Sequence, residues 1–78
     1  MIKPQIVNKL KSINELQLLM LIANVDTWQH SLVTRAVTAS LLDIAQITLK
    51  VTLKKLVDRG FVVRTAKGIY KINKEILQ

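Results

Sequence analysis

The sequence predicts a mainly α-helical domain closed by a small β-hairpin, an α+β arrangement of three core helices with a two- or three-stranded sheet. Three observations carry this. Leu49, Leu53 and Leu56 recur at i, i+4 and i+7 with Val57 beside them, the apolar stripe of an amphipathic helix. Ser12-Ile13-Asn14-Glu15 has the form of a capping box and opens a second helix. Beyond Gly60, the β-prone runs Phe61-Val62-Val63-Arg64 and Ile69-Tyr70-Lys71-Ile72 flank Thr65-Ala66-Lys67-Gly68, the pattern of a hairpin.

Length and composition narrow the function. Residues 1–78 make one small domain, able to bury only about 60% of its unfolded surface, so added burial through a partner would help it. Half the residues are hydrophobic, which excludes a disordered basic tail. Twelve Lys or Arg against five Asp or Glu give a formal charge of +7, and a folded domain that basic expects a polyanion, nucleic acid before anionic membrane. No cysteine is present, so neither a disulfide framework nor a thiolate metal site is expected, in keeping with a reducing cytoplasm. A single histidine argues against zinc. No signal peptide fits the start of the chain, where charges interrupt the apolar residues.

Taken in order, residues 1–11 read as an N-terminal arm or short helix, with Pro4 suited to a first turn and Ile6, Val7 and Leu10 on one side. Its basic residues leave two readings, a solvated end or an arm packed on a partner subunit. The first core helix spans 13–25 and is apolar nearly all round. It is too short to cross a bilayer, and such a helix needs cover on several sides, from a second subunit or from the terminal segments. The loop that follows holds Trp28, expected to pack over the core edge rather than stack on a base, and His30, expected at the surface or as a cap. Leu32-Val33 is read as a short strand. Thr34 is then expected to cap a helix over 34–42, with Val37, Leu41 and Leu42 facing inward and Arg35 in its first turn. A basic residue there is poor for the helix dipole, which favours a ligand reason for it. Gly60 ends the third helix, 45–59, a hairpin follows over 61–73, and 74–78 form a C-terminal tail with Ile76 and Leu77 as core or dimer contacts.

Residues Thr34 to Gly60 thus read as a short helix, a tight turn and a longer basic helix, a helix-turn-helix. On the second of these helices the side opposite the leucines carries Ile47, Val51, Lys54, Lys55 and Asp58, flanked by Thr48 and Lys50. Exposed Ile47 and Val51 fit thymine methyl groups in a major groove or another protein surface.

This stretch resembles the winged-helix transcription regulators of the MarR (multiple antibiotic resistance regulator) type. Ala39 takes their small first-helix position, Leu42-Asp43-Ile44 their turn, Thr48-Leu49 their helix start, and Leu53-Lys54-Lys55-Leu56-Val57-Asp58-Arg59-Gly60-Phe61-Val62 the remainder. Two departures stand out: Asp43 replaces the turn glycine, and Ala45 stands where a capping Ser or Thr is typical. Asp43 is expected to cap the third helix instead, with Gln46 closing a capping box. The resemblance implies a winged helix-turn-helix whose wing, with Arg64 and Lys67 near its tip, lies along DNA backbone or minor groove.

The expected function is a DNA-binding transcription regulator, a repressor and homodimer in the cytoplasm, with double-stranded DNA as partner. Lys50, Lys54 and Lys55 would meet phosphates; Gln46, Ile47, Thr48 and Val51 would approach base edges; Thr34 and Arg35 would add a phosphate contact from the preceding helix. Asp26, Asp43 and Asp58 are scattered and no phosphate-cradling glycine loop is present, so no catalytic residues, cofactor, metal or small-molecule ligand are expected. A winged-helix protein-interaction module and a non-specific architectural DNA binder are the alternatives.

Overall fold

The computed structural model describes residues 1–78. They order as α1 (Pro4–Val7), α2 (Ile13–Ala23), β1 (Trp28–Gln29), α3 (Leu32–Leu42), α4 (Gln46–Asp58), β2 (Val62–Ala66) and β3 (Ile69–Ile72), with a final 3-10 turn over Lys74–Ile76. The three strands form one antiparallel sheet in the order β1-β3-β2, giving the mainly helical α+β fold of a winged helix.

The start of α2 follows its sequence signal. Ser12 Oγ accepts the Glu15 N–H at 3.3 Å. The return arm lands one residue earlier than a capping box requires, because Glu15 Oε2 accepts from the Lys11 N–H at 3.1 Å. Glu15 is buried, and its Oε1 lies 2.9 Å from Arg59 Nη1, close but off-line for a hydrogen bond. Arg59 Nη1 also donates to the Lys9 carbonyl at 2.9 Å. One carboxylate therefore ties the start of α2 to the end of α4. The helix stops at Ala23 rather than reaching 25, because Asn24 Nδ2 turns back to the Met20 carbonyl.

The core forms where the apolar stripe of α4 meets α2. Leu49, Leu53 and Leu56 pack in one cluster with Leu18, Leu19 and Ile22, and Trp28, Ala39, Phe61 and Val62 close its sides. The terminal segments complete part of the cover that α2 demands. Ile2 bridges to Leu77, the Lys3 N–H donates to the Ile76 carbonyl and the Gln78 N–H to the Met1 carbonyl, each at 2.8 Å, burying Ile2 and Ile76. Residues 1–11 accordingly pack on their own chain. Between α2 and these same terminal segments a shallow apolar groove of about 680 Å³ remains, lined by Met1, Pro4, Val7, Leu16, Met20 and Leu77 among others.

Three expectations are corrected around α3. The helix begins at Leu32, not at 34, because Ser31 rather than Thr34 caps it: Ser31 Oγ accepts the Thr34 N–H at 3.2 Å and bonds the Thr34 hydroxyl at 3.0 Å. Leu32-Val33 is therefore a helical turn, and the short strand is Trp28–Gln29, paired with Tyr70 and Ile69. Val37 and Leu41 do not face inward; they are 53% and 70% exposed, and of the three only Leu42 is half-buried. Small side chains take the inner face instead. Thr38 Oγ1 accepts the buried Trp28 indole N–H at 3.3 Å, and Ala39 lets α3 come close to the core.

The turn between α3 and α4 departs from the expected cap as well. Asp43 does not cap α4; it stands at φ 54, ψ 48 just past α3, and α4 starts at Gln46 after Ala45 with no side-chain cap. The Ile44 N–H donates to the Ala39 carbonyl at 2.9 Å and the Asp43 N–H to the Ser40 carbonyl at 3.2 Å, the two bonds of a Schellman motif. The end of α4 repeats it. Gly60, at φ 77, sits where Phe61 N–H bonds the Leu56 carbonyl and Gly60 N–H the Val57 carbonyl. Because Asp43 holds a left-handed backbone that glycine adopts without strain, Asp43→Gly should stabilise the fold by about 0.5–1 kcal/mol in urea unfolding. A loss of stability would show that the Asp43 side chain holds the turn.

Candidate nucleic-acid interface

The α3 and α4 axes meet at 95° across the three residues Asp43 to Ala45. That is the crossing of a helix-turn-helix, and it follows from the Schellman turn and from Ala39 permitting close approach. With its leucines committed to the core, α4 turns Gln46, Ile47, Lys50, Val51, Lys54 and Lys55 to solvent. Ile47 and Val51 are 72% and 49% exposed. Thr48 is half-buried, and its carbonyl accepts the Thr52 hydroxyl at 2.7 Å. No side chain caps α4, so the first-turn N–H groups add partial positive charge at this end.

The wing stands beside this face. In it Val62 pairs with Ile72, Val63 with Lys71, Arg64 with Tyr70 and Ala66 with Ile69, with a bulge at Thr65. Gly68, at φ 74, makes the reversal, and Lys67 is exposed at the tip. Between wing and helix lies a cleft of about 420 Å³ lined by His30, Lys50, Leu53, Lys54, Val57, Arg64 and Tyr70. Three cations and no carboxylate face it. The cleft brings Lys50, Lys54 and Arg64 together; Gln46, Ile47, Thr48, Val51, Lys55 and Lys67 lie outside its lining. Thr34 and Arg35 are half-buried at the start of α3, with the Thr34 hydroxyl engaged by Ser31.

No local pattern in the sequence places His30 on this surface. Its place depends on the β1–β3 pairing and on its N–H donating to the Gly68 carbonyl at 2.7 Å, contacts between distant parts of the chain that carry no local signal. The imidazole lies 5.4 Å from the Trp28 ring and 6.2 Å, edge-on, from Tyr70. Burial, then Arg35 and Lys50, hold its pKa below the ordinary value. Trp28 itself is buried against the core, as its apolar bulk suggests.

A helix-turn-helix with a basic outer face and a basic wing defines a winged-helix protein of the DNA-binding class. The family model of the Firmicute plasmid replication protein (RepL) matches residues 3–78, and the chain belongs to that family. The resemblance to MarR-type regulators thus extends to the winged-helix pattern, while the family is one of plasmid replication. No curated protein and no solved structure matches the chain.

No single helix is long and apolar enough to cross a membrane. The His30 environment sets a pH dependence of stability. A base whose folded pKa lies below its unfolded one binds fewer protons when folded, so its contribution is complete above about pH 6.5 and is lost as pH falls from there toward the folded value. Thermal unfolding monitored between about pH 7.5 and 6 should show a falling midpoint, and His30→Gln should flatten that trend. An unchanged trend in the variant would remove His30 as its origin.

Proposed function

We propose that this chain binds duplex DNA in plasmid replication, laying α4 in the major groove with the wing along the adjacent backbone. The observation that carries the reading is the outer face of α4, whose Lys50 and Lys54 share a carboxylate-free cleft with Arg64. Lys50, Lys54, Lys55, Arg64 and Lys67 serve phosphates, with Thr34 and Arg35 adding a contact from α3. Gln46, Ile47, Thr48 and Val51 approach base edges. The exposed apolar pair Ile47 and Val51 suits thymine methyl groups.

Membership in a plasmid replication family makes replication-control DNA the natural target. Occupancy of a site that overlaps a promoter represses transcription, so a repressor role is a consequence of binding at such a site. The protein acts by occupancy, without catalysis, in the cytoplasm where plasmid DNA resides. A homodimer would place two α4 helices in successive major grooves about 34 Å apart. Support for a dimer comes from the apolar surface left open, Val33, Val37 and Leu41 on α3 and the groove beside α2.

If roughly 6 to 10 phosphates are neutralised, affinity for a selected duplex should fall about 10³ to 10⁵-fold between 50 and 200 mM salt. In the same titrations Lys54→Ala should weaken binding to every sequence and flatten the salt slope by about one unit. Thr48→Ala and Val51→Ala should relax preference at particular base pairs, each by roughly 1–3 kcal/mol. Unaltered binding in all three folded variants would remove α4 as the reading element. A weak salt response with a stable protein complex would favour the interaction-module reading, and equal affinity for unrelated duplexes the architectural one.

A further inference from the structure

His30 belongs to the cleft between α4 and the wing, yet nothing in the chain uses its ring nitrogens. Nδ1 is sealed from solvent with no hydrogen-bond partner. Buried polar atoms are almost always satisfied, so an unpartnered imidazole between cations marks a place for an acceptor that the chain does not supply. The charged side chains gathered there are all cations. Lys50 and Lys54 come from α4 and Arg64 from the wing, and Arg35 from α3 acts on the imidazole through its charge. Arg35 Nε is likewise buried without a partner. An anion with several oxygens answers the three cations that line the cleft beside His30, and a cleft of about 420 Å³ open to solvent admits one.

We propose that this cleft seats one phosphodiester of the DNA backbone, gripped by Lys50, Lys54 and Arg64, with His30 as a fourth and titratable contact. The inference rests on the DNA-binding reading above and adds to it a position and a proton linkage. In the free protein burial, and after it the charges of Arg35 and Lys50, disfavour the imidazolium. A phosphate oxygen beside the ring offsets them and favours the imidazolium, so the complex takes up a proton as pH falls through the neutral range. Duplex affinity should then strengthen toward lower pH, by up to about tenfold for each unit that the imidazole midpoint rises on binding. Lysine and arginine do not titrate in that range.

The chain has a single histidine, so the His30 ring protons give an unambiguous proton NMR signal without any substitution. The test is to titrate that signal from about pH 5 to 8 in the free protein, in its complex with a duplex shown by gel shift to bind, and in inorganic phosphate at matched ionic strength. The midpoint should rise in the complex and stay put in phosphate, and His30→Gln should remove the pH dependence of duplex affinity. A midpoint that is unmoved or lowered in a bound complex overturns the inference and leaves DNA binding standing. A rise in phosphate but not with duplex assigns the cleft to a free anion and overturns it too. Failure of any duplex to bind at low salt removes the functional reading itself, and this inference with it.

Discussion

The leucine seam of α4 is the contact on which the rest of the molecule depends. Leu49, Leu53 and Leu56 are buried against Leu18, Leu19 and Ile22 of α2. At about 1.5–3 kcal/mol for each fully buried aliphatic side chain, these six are comparable to the whole net stability of a typical small domain. Rotating α4 to bring its lysines inward would forfeit that burial and add the desolvation of charges. The seam therefore fixes the roll of the helix, and with it which residues meet the outside. The basic face is the complement of a hydrophobic requirement, and needs no separate device to hold it outward.

Direction along the other axes comes from two left-handed turns. Asp43 and Gly60 each close a Schellman motif, one before α4 and one after it, and in each the next apolar residue, Ile44 or Phe61, packs against the core. The first turn sets the 95° crossing with α3, and the second sends the chain straight into β2. A wing that starts so close to the helix end has to lie alongside it, which is how Arg64 comes to share a cleft with Lys50 and Lys54. The Glu15–Arg59 pair holds the same corner from behind.

Much of this was readable from residue order because it is local. The heptad-like leucines placed α4 to within one residue at each end, Ser12 marked the start of α2, and Gly60 and Gly68 marked the reversals around the hairpin. Where two residues could do one job, order alone did not decide. Ser31 and Thr34 are both competent caps, and the choice of Ser31 moved the start of α3 and turned an expected strand into helix. Large apolar residues do not mark the inner face of α3; Thr38 and Ala39 hold it, since close approach and an acceptor for Trp28 matter more there. His30 and the Glu15–Arg59 pair stayed hidden for a different reason. Their positions depend on strand pairing and helix packing between distant segments, which leave no periodic trace.

A domain this small has little surface that is not also structural. Its basic charge, the outward lysines of α4 and the adjoining wing place one function on one side, and the apolar groove and α3 face occupy others. The most direct measurement is an amide chemical-shift map of the protein with and without a bound duplex. Changes concentrated at the outer positions of α4, from Gln46 to Lys55, and at Arg64 and Lys67 are what the account requires. Changes confined to α2 and the terminal segments, with α4 silent, would contradict it.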